Sequence, residues 1–369
     1  MTKIFFDNNA TTQIDPRVAH AISDEWQKGP SNPSSIHTFG QEAKRRLSRA
    51  RETIANTLSA KPSEITFTSG GTEGLNLMIF SLPKNTRIIT SPIEHPAVYE
   101  AIRSLGNPKT YLPVGSSGSV IVSDVKEAIG ESPCAIVLSA VNSETGVKNP
   151  IDAIAQMAKE NAIPLLVDGV GLLGKETFTV HPGVSAVAFS GHKFHGPQGT
   201  GFVLCRSPFR LEPRLFGGGQ ESLRRSGTEN LPGIVGLAKA VELLEEELPG
   251  ATTYMQTLRD RFESGLKELI PNIQINGENR VANTSNVTFP GMDGESLLIE
   301  LDLKGVAASM GSACSSGALE PSRVLTQMGL SREEALSSLR FSFSRFNTLD
   351  EIAIALEIFE KMSLLHIQK

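Results

Sequence analysis

The chain has 369 residues, a formal net charge of −5, 39% hydrophobic and 20% charged residues. That length holds about two domains, or one large α/β domain with an appendage, and buries a large core without staples. The acidic balance offers no basic surface for nucleic acid or anionic membrane, and no apolar run approaches the roughly 20 residues that span a bilayer. Met1–Asp7 reaches an acidic residue too soon for a signal-peptide core. Cys134, Cys205 and Cys314 are widely spaced, which argues against a disulfide framework or a CxxC metal site. The expectation is a cytoplasmic protein with no nucleic-acid or membrane partner.

From about Ala19 to Leu248 apolar strands alternate with amphipathic helices. Strands are expected at Glu64–Phe67, Arg87–Thr90, Ala135–Ser139, Pro164–Asp168, Ala186–Ser190 and Gly201–Leu204. Helices are expected at Gln41–Ser59, Thr72–Leu82, Pro96–Leu105, Ile151–Asn161 and Leu231–Leu248. This alternation predicts a mostly parallel sheet covered on both faces, with ligands at the carboxyl ends of its strands. After Pro249-Gly250 the pattern changes to a helix (Thr252–Leu269), strands at Asn272–Asn276 and Ser285–Phe289, a helix from Asp293, a strand near Arg340–Ser344 and a last helix, Thr348–Leu364. The fold class is therefore α/β: a large domain with a mostly parallel central sheet over residues 15–250, and a smaller α+β domain from 1–14 and 251–369.

The strand ends carry the chemistry. Thr68-Ser69-Gly70-Gly71-Thr72-Glu73 leaves a strand and opens a helix, so its backbone N–H groups form an anion site or, more simply, a turn capped by Thr72. No GKS/T follows, so it is not a Walker loop. His95 follows a strand, where it caps a helix or stacks on a flat cofactor. Asp168 ends the run Pro164–Val167, and a buried carboxylate there needs a cation or a donor. Ser190-Gly191-His192-Lys193 ends another strand, where a desolvated lysine becomes a Schiff-base candidate. Asp168 and Lys193 on successive strand ends supply the two groups that pyridoxal 5'-phosphate (PLP) chemistry requires: a partner for the pyridinium nitrogen and an imine-forming amine.

Farther along, Gly217-Gly218-Gly219-Gln220-Glu221 and Ser226-Gly227-Thr228-Glu229 form either a mobile surface loop or a segment whose Thr228 reaches a phosphate. Cys314 sits among small residues, Gly311-Ser312-Ala313-Cys314-Ser315-Ser316-Gly317, a setting for an accessible thiol. Arg340 is either a surface strand charge or a carboxylate clamp.

Together these motifs resemble the cysteine desulfurases that supply sulfur for iron–sulfur clusters, within the aminotransferase class V group of fold-type I PLP enzymes. The resemblance runs from Phe6-Asp7-Asn8-Asn9-Ala10-Thr11-Thr12 and Asn32-Pro33-Ser34-Ser35-Ile36-His37, through Ser190–Lys193 and Arg225-Ser226-Gly227-Thr228-Glu229-Asn230, to Gly311–Cys314 and Arg340-Phe341-Ser342. It implies that Lys193 binds PLP and then acts as base at Cα, Asp168 holds the pyridinium proton, and His95 stacks on the ring and assists proton transfer. Gly71, Thr72, Ser190 and His192 bind the phosphate, with Thr228 arriving from the partner of a homodimer. Arg340, with Asn142 and Ser143, binds the substrate, and Ser143 also contacts the cofactor. Cys314 takes the sulfur of L-cysteine as a persulfide, L-alanine leaves, and a sulfur-acceptor or cluster-scaffold protein receives the sulfur.

Two positions depart from the family pattern. Gly171 stands where a glutamine donates to the cofactor's phenolic oxygen, and Ser143 stands where an asparagine lies near the substrate carboxylate. One lost hydrogen bond to a charged group costs about 1.5–3 kcal/mol, which weakens a site without abolishing it. The alternatives are a selenocysteine lyase or other β-eliminating enzyme of the class, and a PLP-binding scaffold or sulfur-relay protein with little turnover. A metal site at His192, His195 and Asp168 is set aside, since the histidines are three apart in a loop without the HExxH helix.

Overall fold

The computed structural model describes residues 3–130, 133–310 and 320–367, the last helix with side chains only as far as Met362. Strand β1 (Ile4–Phe5) leads to helices α1 (Pro16–Gln27) and α2 (Thr38–Thr57). Then come β2 (Ile65–Thr68), α3 (Gly71–Ile79), β3 (Arg87–Thr90), α4 (Pro96–Ser104), β4 (Lys109–Tyr111), α5 (Val122–Ile129), β5 (Cys134–Ser139), α6 (Ile151–Glu160) and β6 (Leu165–Asp168). Strands β7 (Ala186–Ser190) and β8 (Gly201–Cys205) precede the long α7 (Leu231–Leu269). The remainder is β9 (Gln274–Ile275), β10 (Thr284–Thr288), α8 (Gly294–Leu303), β11 (Val306–Ala307), α9 (Arg323–Gln327), α10 (Arg332–Leu336), β12 (Ser338–Ser342) and α11 (Leu349–Ile367).

Seven strands form one sheet in the order β2-β8-β7-β6-β5-β3-β4. All run parallel except β8, which is antiparallel to both its neighbours. The strands are apolar on both faces because both faces are covered. Val187 and Phe189 of β7 enter one core, with α2 and α7, while Ala186 and Ala188 enter the other, with α3 and α4. The expected strands of this sheet fall where alternation of apolar runs and helices placed them. Strand β4 is the exception: a three-residue edge strand, Lys109-Thr110-Tyr111, has no apolar run to announce it. Parallel pairing brings Thr68, Ser139, Asp168 and Ser190 to one edge of the sheet, at the carboxyl ends of β2, β5, β6 and β7.

The sequence divides at Pro249-Gly250, but the structure carries one helix of 39 residues straight through it. An internal proline costs about 3 kcal/mol. Here both halves of the helix are anchored. Leu237, Val241, Leu244 and Leu248 pack in the large core, and Leu258, Phe262 and Leu266 in a second one. That second core closes beneath the antiparallel sheet β12-β10-β9 and the pair β1-β11. Phe6, Phe341, Phe343 and Phe359 surround Phe262, with ring centroids 4.8 to 6.1 Å from it. This cluster fixes β12, and with it Arg340, against the chain's amino-terminal segment. Phe262→Ala is expected to cost about 3–5 kcal/mol of stability in urea unfolding, because the surrounding rings cannot collapse into the space.

Candidate active site

The turn after β2 and the first turn of α3 line a cavity of about 310 Å³ together with Ser190, His192, Gln198 and Gly199. The opening N–H groups of α3 have no partner within the helix and carry its positive dipole end, which makes the cavity an anion cradle. Gly71 is required there: a Cβ would lie 2.7 Å from Val170 Cγ2. Thr72 is exposed at the cradle's rim and Ser190 is buried in its floor. Glu73 closes one side, accepting from Ser69 N at 2.8 Å and pairing with Arg225 at 2.9 Å. Burial works against the Glu73 charge, but those two donors hold its carboxyl below the ordinary value. The pair ties the glycine-rich loop to the cradle. Thr228, three residues beyond Arg225, is exposed and does not line the cavity of its own chain.

Asp168, Lys193 and His95 meet beside the cradle. Asp168 is buried, and its Oδ1 accepts from Val170 N at 2.9 Å. Desolvation raises its carboxyl above the usual range, against the opposing pull of His95 and Lys193. Burial pulls Lys193 down to about 8, helped by Arg340 and opposed by Asp168 and Asp7. Its Nζ donates to the carbonyls of Asn9 at 2.5 Å and Ala10 at 2.9 Å. His95 caps α4, its Nδ1 accepting from Ala97 N at 3.1 Å, so the proton of the neutral ring is on Nε2. The ring edge is open to solvent, yet desolvation by the surrounding protein, with the charges of Lys193 and Arg323, holds it below the ordinary histidine value. His192 meets Thr11 Oγ1 at 3.1 Å through Nδ1 and is held down to about 4 by burial, Lys193 and Lys175. Both imidazoles are therefore neutral at pH 7.

Arg340 is buried, not a surface charge. Its Nη2 donates to Asp7 Oδ1 at 2.6 Å and its Nη1 to the Ser143 carbonyl at 3.0 Å, while Nε has no partner among the described residues. Ser143 thus contributes its backbone, which also accepts from Asn9 Nδ2 at 3.1 Å. Asn142 organises the turn beneath. Its Oδ1 accepts from the N–H groups of Glu144 and Thr145, both at 3.0 Å, and its Nδ2 donates to the Ile93 carbonyl at 3.0 Å. Cys314 lies outside the described residues.

Sequence reasoning missed several buried ionisable groups around this site. Glu94, next to His95, accepts from Ser91 Oγ at 2.6 Å and Ser139 N at 2.8 Å, and burial pushes its carboxyl up to about 7. Lys175 donates to the Lys193 carbonyl at 3.2 Å and is driven down to about 7 by burial. Glu144, pushed up to about 7 by burial, has one oxygen without a partner among the described residues. Arg323 donates to the Glu94 carbonyl at 2.6 Å and lies 3.9 Å over the Tyr99 ring. Nothing local in the sequence marks these as interior. Only the convergence of strand ends does.

Gly171 has a steric reason to lack a side chain: a Cβ would stand 2.9 Å from the Val141 carbonyl oxygen. A side chain at 171 therefore needs the Val141 backbone to shift.

The aminotransferase class-V family pattern matches residues 4–354. The chain belongs to the aminotransferase class V family. A cysteine desulfurase of Nostoc is 40% identical over 97% of this chain and 92% of its own length. The cysteine desulfurase IscS of Methanosarcina thermophila is 40% identical over 96% of this chain and 90% of its own. Among solved structures, a NifS-like protein superposes with a TM-score of 0.92 at 34% identity, covering 99% of this chain and all, 100%, of the other. A NifS-like protein from Rickettsia africae gives 0.89 at 34% identity, covering 98% of this chain and 99% of its own.

Two measurements test the geometry. Competitive labelling of the Lys193 amine should rise through about pH 8, below the ordinary lysine range near 10.4. Arg340→Gln removes a charge that lowers this value, so its midpoint should move to higher pH, and Asp168→Asn should move it lower. An unshifted midpoint near 10.4 would contradict the buried placement. Gly171→Ala should destabilise the protein by about 1–3 kcal/mol in urea unfolding, through overpacking against Val141.

Proposed function

We propose that this protein is a PLP-dependent cysteine desulfurase that converts L-cysteine to L-alanine and holds the sulfur as a persulfide on Cys314. The observation that carries the reading is the convergence on one sheet edge of a desolvated lysine, a buried carboxylate, a neutral histidine, a helix-N-terminal anion cradle and a buried arginine. These groups fit PLP by their chemistry. Gly71, Thr72, Ser190 and His192 suit its phosphate, and the absence of a side chain at Gly71 lets the cradle pack against Val170. Asp168 suits the protonated ring nitrogen, His95 the ring face, and Lys193 the aldehyde carbon. Bound there, the cofactor supplies an electron sink for the electron pair released at the substrate Cα.

The chain's own residues do the rest. Arg340 orients the amino acid through its carboxylate. Lys193, with an amine near neutrality, takes the Cα proton. Neutral His95 exchanges a proton through Nε2. The Cys314 thiolate forms an S–S bond to the substrate sulfur as the Cβ–S bond breaks, with the electron pair of that bond passing to Cβ; Cβ takes up a proton, Cα regains the one it lost, and L-alanine leaves. A solved structure titled as SspA in complex with cysteine, 33% identical with a TM-score of 0.81, shares this fold over 94% of this chain and 100% of its own.

We read the working unit as a homodimer. Thr228 is exposed and so free to complete a partner's cradle; Ile36, Phe39, Phe216 and Leu223 are exposed hydrophobics, and Ile36 is among the residues lining a groove of about 780 Å³ with 33–35 and 219–222. A sulfur-acceptor or cluster-scaffold protein then takes the persulfide. No helix among the described residues is long and apolar enough to cross a membrane. Cys134 and Cys205 are buried free thiols, which suits a reducing cytoplasm.

The deciding experiment supplies L-cysteine to the PLP-loaded enzyme. Alanine should appear with a persulfide mapped to Cys314. Cys314→Ser should lose turnover yet keep the cofactor's visible absorption, and Lys193→Ala should lose roughly two to four orders of magnitude in rate. Pyruvate and ammonia as main products would show elimination, and absence of turnover would show a scaffold.

A further inference from the structure

Asp7 has no part in the chemistry above, yet it makes the shorter of the two hydrogen bonds of the Arg340 guanidinium. Its backbone is fixed by a bridge to Ser342 of β12 and by its carbonyl accepting from Ala10 N at 3.0 Å. This sets its carboxylate 2.6 Å from Arg340 Nη2, in a pair whose side chains are only 6% (Arg340) and 19% (Asp7) exposed. The segment it begins also holds the site's other cation: the Asn9 and Ala10 carbonyls accept from Lys193 Nζ. A run of four residues, Asp7 to Ala10, thus presents oxygens to both cations that an amino acid would use, one for its carboxylate and one near its Cα.

We propose that Asp7 is a specificity-determining residue, an internal carboxylate that occupies Arg340 until the carboxylate of an amino acid arrives and then must share the guanidinium with it. The inference rests on the reading of Arg340 as the substrate clamp. A guanidinium has five N–H donors, so two carboxylates can sit on it at once. They then stand within a few ångströms of each other in a site shielded from water. Like charges so placed repel strongly enough to cost about tenfold in affinity or more. Carboxylate ligands are therefore held more weakly than a bare arginine would hold them. Product L-alanine is released readily, and a ligand must bring an amine as well as a carboxylate to bind.

The test titrates the PLP-loaded enzyme with L-alanine and with ethylamine, its counterpart without a carboxylate, following the cofactor's absorption. Asp7→Asn should tighten L-alanine about tenfold relative to ethylamine, which reads out separately any effect of the lost charge on Lys193. Asp7→Ser, which removes the charge with a smaller group, should do the same, with thermal melting checked for each variant. Arg340→Gln should weaken L-alanine, and in the double variant the gain from Asp7→Asn should vanish. If either Asp7 variant that melts like the wild type leaves L-alanine unchanged or weakens it relative to ethylamine, Asp7 is a support for Arg340 and the proposal is overturned. If Arg340→Gln leaves L-alanine unchanged, the clamp reading fails first and the proposal with it, which separates the two failures.

Discussion

Asp168 ends one strand, β6, and Lys193 lies three residues beyond the end of its parallel neighbour β7, at a sheet edge covered on both faces, and neither can hold its charge there alone. Burial raises the carboxyl of Asp168 and lowers the amine of Lys193, while each charge partly offsets the cost of the other. The same desolvation keeps His95 and His192 neutral. This balance is electrostatic and depends on position, so it depends on the register that sets Asp168 opposite Ala188 of β7 and Ser139 of β5. The alternating cores above and below the sheet fix that register, since a one-residue slip would turn each apolar side chain to the wrong face.

The site's second cation, Arg340, comes from elsewhere in the chain and must be brought to the sheet edge by packing. Helix α7 spans both cores, and its Phe262 stands among the rings that flank β12. The amino-terminal segment then threads between the two parts. Phe6 is packed in the aromatic cluster, Asp7 meets Arg340, and Thr12 Oγ1 bonds to the carbonyl of His192 at 2.9 Å and to His195 N at 2.7 Å. The distance between the two cations is thus set by a short turn, Asp7 to Ala10, closed by Ala10 N on the Asp7 carbonyl and flanked by the buried Phe6 and Thr12.

Much of this was legible in the sequence, for identifiable reasons. Strand ends such as Asp168 and Lys193 are visible because apolar runs stop there, and a covered parallel sheet makes those runs long and unbroken. The cradle is visible because Gly70-Gly71-Thr72 lies between a strand and a helix. What stayed hidden is long-range. Glu94, Lys175 and Glu144 look like ordinary polar residues until the fold buries them, and Asp7 lies 333 residues from the arginine it pairs with. The continuity of α7 was hidden for the opposite reason: a local proline signal is strong, and only packing on both sides overrides it. Asn142 is expected from the resemblance to bind substrate, while its turn-making bonds were hidden, because they run to backbone groups that no side-chain motif records.

Gly171 shows how steric and electrostatic demands meet. Taken as sequence, it is a missing donor. In the structure, the position where its Cβ would stand is crowded by the Val141 carbonyl. Val141 bridges to Lys148, and Asn142 N donates to the Val147 carbonyl at 2.9 Å, which together close the turn that carries Ser143. The Ser143 carbonyl is one of the two acceptors that aim Arg340. A side chain at 171 would therefore press on the turn that sets the guanidinium. A donor gained there for the cofactor would come with a displacement of Arg340, the proposed substrate clamp, so in this chain the glycine and the placement of Arg340 are one constraint.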